Sequence, residues 1–277
     1  MLPNSPALHY QAYQAVADLT TPMRSAARFL APWLHHSLFW LPHSRALRKA
    51  AAACEVLALS GLTHHRPPFN IDTVDTPSGT CAVTEETVFR TPFCSLLRFR
   101  KTPACGTEPK VLLVAPVSGH FATLLRGTVQ TLLQDHDVYV TDWHNVRDIP
   151  LSEGAFDLDT FIEHIIRFVD WLGPHTHLVA VCQPTVPTLA AVAVMAEDQH
   201  PHQPRSMTLM AGPIDCRINP TEVNNLATAK PMEWFESKLI GVVPLRYKGG
   251  MRRVYPGFLQ ISAFMSMNLD RHKESFR

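Results

Sequence analysis

A cysteine stands where an apolar strand pattern changes into a helical one. The stretch HLVAVC over residues 177–182 is typical of a buried strand, and an alanine-rich helical pattern follows it. A nucleophile on a strand-to-helix turn needs small neighbours, because the backbone is crowded there. Ala180 meets this requirement, and Pro184 occupies the position where glycine is usual. The pattern permits a nucleophilic thiol at Cys182, although buried structural cysteines also end apolar strands.

Acyl transfer at Cys182 would require hydrogen-bond donors for the developing oxyanion. The backbone N–H of Gln183 follows the cysteine directly, and a second donor is expected from the loop after the first parallel strand. That loop reads PVSGH over residues 116–120. We therefore predict an oxyanion site formed by the backbone of Gln183 together with Val117 and Ser118.

Other ionisable residues at strand ends have simpler interpretations. His120 and His144 are typical of the polar rim of a cleft. Asp142 is typical of a turn and Asp215 of a capping position. The spacing of these residues identifies no acid or base partner for the thiol.

The elements that must position this corner follow from the hydrophobic pattern. Strand-like apolar runs alternate with helical patterns from residue 111 to residue 212; the runs read VLLVAPV, DVYVTDW, HLVAVC and SMTLMAG. Continuous apolar runs are typical of strands covered on both faces, and their alternation with helices indicates a parallel sheet with right-handed crossovers. Residues 69–101 instead alternate polar and apolar side chains, which predicts an antiparallel hairpin at the sheet edge. The fold class expected is α/β, with helices on both faces of a mostly parallel sheet.

Changes in composition divide the chain into three predicted segments. Residues 1–66 form an N-terminal helical segment on or beside the core, with helix starts predicted at Thr20-Thr21-Pro22 and at Ser44. Residues 67–212 form the α/β core. Residues 213–277 mix helix and loop patterns without a further parallel strand, and we assign them to the start of a cap or lid.

Composition excludes several classes of protein. A formal charge of +1 and the lack of a basic cluster with aromatic residues argue against nucleic-acid binding. The apolar run over residues 29–42 is broken by Pro32 and is too short to span a membrane. The six cysteines include no CxxC pair, so we expect reduced thiols in a cytoplasmic protein and no metal site.

Five blocks of the sequence carry a resemblance to a known family; they read VCQPTVPTLAAVAVMA, APVSGHFATLLRGTV, VYVTDWHNVRDIPLSEGAFDLDTFIEHI, AGPIDCRINPTEVN and RVYPGFLQISAFMSMNLDRH. Together they resemble the intracellular poly(3-hydroxybutyrate) (PHB) depolymerases, α/β-hydrolase-fold enzymes of bacterial storage granules. The resemblance implies a Cys-Asp-His triad with Cys182 as nucleophile. It also implies hydrolysis of short-chain polyhydroxyalkanoates at the granule surface in the cytoplasm, without a cofactor or a metal.

The resemblance also sets an expectation about the rest of the triad. In α/β-hydrolases the acid and the histidine follow the nucleophile along the chain, and nothing between Gly212 and Arg277 matches those positions in the family. His272 resembles part of a cap segment. We expect this chain to carry the nucleophile and the oxyanion loop, to lack the acid and the base, and to be part of a longer enzyme.

Two alternative functions stay open. A polyhydroxyalkanoate synthase-like acyltransferase would share the fold and the cysteine, although synthases usually have glycine at the positions of Ala180 and Pro184. A non-catalytic granule-surface protein would use the apolar run at residues 29–41 as an interfacial helix. The same run also suits a helix that packs on the core.

Overall fold

The computed structural model describes residues 6–40, 44–62, 64–104, 108–117 and 121–267. The helices in this part of the chain are α1 (Pro6–Trp40), α2 (Arg45–Leu59), α3 (Arg126–Leu132), α4 (Leu158–Leu172), α5 (Thr185–Glu197), α6 (Glu222–Ala229), α7 (Met232–Lys238) and α8 (Gly257–Met267). The strands are β1 (Thr73–Thr76), β2 (Gly79–Arg90), β3 (Cys94–Thr102), β4 (Lys110–Val114), β5 (Asp137–Trp143), β6 (His177–Val181), β7 (Ser206–Met210), β8 (Gly241–Val242) and β9 (Arg253–Val254). Short 3₁₀ turns precede α3 and α4.

A mixed sheet with the strand order β1-β2-β3-β5-β4-β6-β7 forms the centre of the fold. The strands β5, β4, β6 and β7 pair in parallel, as the continuous apolar runs predicted. The strands β1, β2 and β3 pair antiparallel and join the parallel part through β5. The predicted edge hairpin is therefore confirmed, and so is the α/β fold class.

Apolar side chains on both faces explain why the central strands lack an alternating pattern. In β4, Leu112 and Val114 contribute to one core cluster, whereas Leu113 contributes to the cluster on the opposite face. The helix α3 covers the face of Leu113, and α4 and α5 cover the other. Each fully buried aliphatic side chain stabilises the fold by about 1.5–3 kcal/mol.

The helix α4 shows how local sequence signals fix an element. Asp157 is its N-cap and accepts a hydrogen bond from the Thr160 N–H at 2.9 Å. Gly173 ends the helix with a φ of 79°, a conformation that glycine adopts without steric cost. The apolar face, which includes Ile165 and Phe168, is fully buried against the sheet.

The predicted helix start at Thr20-Thr21-Pro22 is wrong, because α1 runs through these residues without a break. Pro22 has no N–H, so its place in a helix leaves a carbonyl without its usual partner. Threonine hydroxyls add hydrogen bonds to other carbonyls in the turn before the proline. The Thr21 hydroxyl donates to Ala17 O at 2.6 Å and the Thr20 hydroxyl to Val16 O at 2.8 Å. By contrast, the predicted start at Ser44 is confirmed, since its hydroxyl accepts from the Leu47 N–H at 3.2 Å.

The N-terminal helix packs against the C-terminal region. The ring of Tyr13 stacks on Phe258 of α8 at a centroid distance of 4.0 Å, and Asp18 pairs with Arg246 at 2.7 Å. Beyond β7, the small β8–β9 ribbon is antiparallel, so the described residues add no further parallel strand there, as predicted. The segment boundaries at residues 66 and 212 stay a prediction.

Candidate active site

Cys182 lies between the end of β6 and the start of α5, as the sequence predicted. Its φ is 69°, in a left-handed region that residues other than glycine rarely adopt. Such strain in a sharp strand-to-helix turn is the geometry of a nucleophile elbow. The residue is half-buried, and its Sγ has no hydrogen-bond partner among the described residues.

Backbone contacts from the neighbouring elements hold the strained turn in place. The Cys182 N–H donates to Met210 O at 2.8 Å, and Cys182 O accepts from the Thr185 hydroxyl at 2.8 Å. Gly212 passes so close to the start of α5 that an added Cβ would lie 1.7 Å from Thr185 Oγ1. Only glycine fits at this crossing, a role that the sequence pattern does not predict.

The structure brings together two of the three predicted oxyanion residues. The Val117 N–H donates to the side-chain oxygen of Gln183 at 3.1 Å. The backbone N–H of Gln183 has no acceptor among the residues that the structure describes. Ser118, the third predicted residue, lies outside the described residues. The amide oxygen of Gln183 thus occupies the Val117 N–H, which is one of the two donors that an ester oxygen would need.

A cavity of about 760 Å³ lies beside this corner and includes Val117 in its wall. Aromatic side chains dominate the wall, among them Phe93, Phe121, Trp143 and Phe156. Cys182 does not line the cavity, so Val117 is the link between the cavity and the elbow. Volumes of this size and an apolar lining are typical of small-ligand sites.

Polar groups of the cavity wall are held by partners of their own. His144 contacts Pro92 O through Nδ1 at 2.8 Å and the Ser95 hydroxyl through Nε2 at 2.7 Å. Nδ1 can only donate to the carbonyl oxygen, so both ring nitrogens of His144 are engaged. Burial, and then the nearby charge of Arg147, lowers the pKa of His64. Both histidines therefore belong to the cavity wall, and neither contacts the thiol.

The two candidate aspartates are engaged elsewhere. Asp142, expected to form a turn, pairs instead with Arg66 at 2.9 Å; burial raises its pKa, and Arg66 partly offsets the rise. Asp215 is held by the Arg217 guanidinium at 2.8 Å, which lowers its pKa. Within the described part of the chain, no carboxylate or histidine is hydrogen-bonded to Cys182. His120 lies outside it.

The family comparison concerns the last part of the chain. Residues 211–277 match the family model described as the PHB de-polymerase C-terminus. This match confirms the resemblance expected from the sequence blocks. Among the described residues, the matched region includes the turn after β7 and the helices α6, α7 and α8; β9 and α8 contribute to the cavity wall, as Tyr10 of α1 does. No curated protein matches the chain.

Solved structures similar to the chain are esterases and other α/β hydrolases. Brefeldin A esterase, a bacterial homologue of human hormone-sensitive lipase, is 12% identical with a TM-score of 0.41; the match covers 60% of this chain and 47% of that one. An α/β hydrolase from the metagenome of Lake Arreo, Spain, is 16% identical with a TM-score of 0.38 over 83% of this chain and 65% of that one. An esterase from Rhizomucor miehei is 10% identical with a TM-score of 0.40; the match covers 61% of this chain and 59% of that one.

These similarities are partial, and at such TM-scores they add nothing to what the sheet itself shows. The chain spans about half the length of several of the structures it matches, 47% in two cases. No helix among the described residues is long and apolar enough to cross a membrane. No group of three or more potential metal ligands converges in this part of the chain either.

Proposed function

We propose that the chain is the nucleophile-bearing part of a PHB depolymerase, an ester hydrolase that acts through Cys182. The strained φ of 69° at Cys182, with the Val117 contact beside it, is the observation that carries the proposal. The α/β fold and the family match of residues 211–277 support an ester hydrolase. The family match and the elbow together support the proposed polyester substrate and cysteine mechanism.

The proposed reaction has two steps. The thiolate of Cys182 attacks an ester carbonyl, and a C–S bond forms while the carbonyl oxygen becomes an oxyanion. The N–H groups of Gln183 and Val117 donate to that oxyanion once the Gln183 side chain has moved away. The intermediate then expels the alcohol, which takes up a proton. Water hydrolyses the resulting thioester, which releases the acid and regenerates the thiol.

The test of the nucleophile is the acyl-enzyme itself. After incubation of the whole chain with p-nitrophenyl butyrate, mass spectrometry should find one butyryl group on the peptide that contains Cys182. Release of 3-hydroxybutyrate from amorphous PHB should fall in Cys182→Ala. Cys216→Ala, which removes an exposed free thiol, is the matched control and should leave both results unchanged. Acylation at another residue, or undiminished release by Cys182→Ala, would refute the proposal.

A second part of the proposal concerns the granule surface. Five exposed apolar residues recur on one face of α1 at spacings of three, four and seven residues. We call them the apolar stripe; they are Val16, Leu19, Met23, Leu30 and Trp33. On a helix this spacing places side chains on one face. Phe29 beside the stripe is also exposed, whereas the side chains of residues 37–41 lie outside those described. We propose that the apolar stripe contacts the surface of a polyester granule, as an interfacial helix contacts lipid.

Co-sedimentation of the whole chain with amorphous PHB particles tests this contact. Leu30→Glu and Trp33→Glu place charges on the apolar stripe and should shift the protein to the supernatant. His36→Glu, at an exposed position of the same helix, should still sediment. Equal sedimentation of all these variants would exclude the stripe as the docking surface.

A further inference from the structure

Arg252 is a buried cation with an unusual set of partners. Its side chain belongs to a residue that is only 7% exposed, immediately before β9. One terminal nitrogen donates to Gly154 O at 2.7 Å, and the other donates to Pro150 O at 2.7 Å and Ile149 O at 3.2 Å. The Nε–H has no acceptor among the described residues. All the acceptors are thus neutral carbonyl groups, and donor capacity remains unused.

The charge of Arg252 has no counter-charge in the described part of the chain. No Asp or Glu carboxylate there lies within 4.0 Å of its guanidinium. The neighbouring Arg253 differs, because Glu236 neutralises it at 3.0 Å. The ring of Phe93, 5.7 Å from the Arg252 guanidinium, offers only weak cation–π compensation. A buried charge without a counter-charge is costly, which makes an anionic ligand favourable here.

Arg252 also lines the cavity described above. Phe93, Trp143, Phe156 and Tyr255 contribute apolar surface to the same wall. A guanidinium recognises carboxylates through its planar set of donors, and the aromatic wall suits an aliphatic body. The combination selects a carboxylate attached to a short apolar chain rather than a highly charged anion.

We propose that this cavity binds the free carboxylate end of a short hydroxyacid oligoester, with Arg252 as the recognition residue. The identity of the ligand rests on the proposed function, whereas the preference for a carboxylate rests on Arg252 and the cavity. Val117 is part of the wall, so the bound chain end lies beside the candidate oxyanion donor. Selection of free chain ends would favour oligomers over the interior of a polymer chain.

Binding is measured by calorimetry on the Cys182→Ala chain, so that the ligand is not consumed. The linear trimer of 3-hydroxybutyrate is compared as the free acid and as its methyl ester. A hydrogen-bonded carboxylate predicts roughly 10- to 100-fold tighter binding of the acid. Equal affinity for acid and ester, or no binding of the acid, would overturn the inference. This comparison requires no change at Arg252.

Substitutions then assign the preference to one residue. Arg252→Gln should reduce the acid-to-ester affinity ratio to about one, and Arg217→Gln should leave it unchanged, because Arg217 is exposed, pairs with Asp215 and does not line the cavity. An unchanged ratio in a folded Arg252→Gln protein would also overturn the inference. Acylation of Cys182 is assayed separately with p-nitrophenyl butyrate. Carboxylate binding without acylation would count against the proposed function alone, and acylation without a preference for the acid would count against Arg252 alone.

Discussion

Gln183 provides a quantitative test of the oxyanion site. Its side-chain oxygen accepts the Val117 N–H at 3.1 Å, so this donor is occupied before any substrate arrives. An ester oxygen can use the Val117 N–H only after the amide oxygen has left. A neutral hydrogen bond contributes about 0.5–1.5 kcal/mol net, and that free energy adds to the barrier for acylation. Gln183→Met keeps the length of the side chain and removes the acceptor, so acylation should become about 2- to 12-fold faster.

A matched substitution reverses the expected sign. Gln183→Glu keeps an acceptor opposite the Val117 N–H and makes it charged, which roughly doubles the strength of the hydrogen bond. The carboxylate would also repel the developing oxyanion. Both variants retain the backbone N–H of residue 183. The order of acylation rates should therefore be Met, then Gln, then Glu.

The assay is the burst of p-nitrophenolate from p-nitrophenyl butyrate at one pH, with acylation of Cys182 confirmed by mass. Thermal unfolding of each variant checks that differences in rate do not come from differences in folding. A large fall in rate for Gln183→Met would refute the reasoning. It would mean that the amide side chain holds the site in its working geometry and does not obstruct the donor.

Two further predictions concern the stability of the fold. Gly212→Ala would place a Cβ 1.7 Å from Thr185 Oγ1 and should lower the free energy of unfolding by about 3 kcal/mol, as overpacking does. A Cβ added at Gly127 in α3 would have no atom within 4 Å, so Gly127→Ala should leave the free energy of unfolding unchanged or raise it. Equal denaturation midpoints for the two variants would contradict the close crossing. Burial lowers the pKa of His164, whose Nδ1 contacts Thr160 O at 2.6 Å. The unfolded chain therefore takes up the proton first, and stability should be lost as the pH falls below about 6.5. Urea titrations between pH 7.5 and 5 should show a smaller loss in His164→Gln; an equal loss would mean that other groups cause it.

The sequence predicted the parallel sheet because its strands are buried on both faces, and burial leaves an apolar run in the sequence. It predicted the position of Cys182 because a strand pattern and a helical pattern meet there. It failed at Pro22, because α1 continues through the proline without a break. Local pattern cannot show whether the rest of a helix is stable enough to tolerate a helix-breaking residue.

The contacts that define the site join residues that are far apart in the sequence. Gln183 meets Val117 from 66 positions away, and Arg252 holds carbonyls of the 149–154 loop from about 100 positions away. Neither contact follows from strand or helix periodicity, because both depend on how loops meet at the carboxyl edge of the sheet. Gly212, two residues after the end of β7, was the one available signal of a close crossing.

The two parts of the site can be tested for independence. Arg252 and Gln183 share no contact among the described residues, and only Val117 connects the cavity with the elbow. If Arg252 holds the chain end and Gln183 controls the oxyanion donor, each acts on a different part of the substrate. The effects of Arg252→Gln and Gln183→Met on acylation of Cys182 by the 3-hydroxybutyrate trimer should then add within about 0.5 kcal/mol. A coupling above about 1 kcal/mol would mean that binding of the carboxylate itself displaces the Gln183 side chain. In that case the cavity would control access to the oxyanion donor as well as bind the chain end.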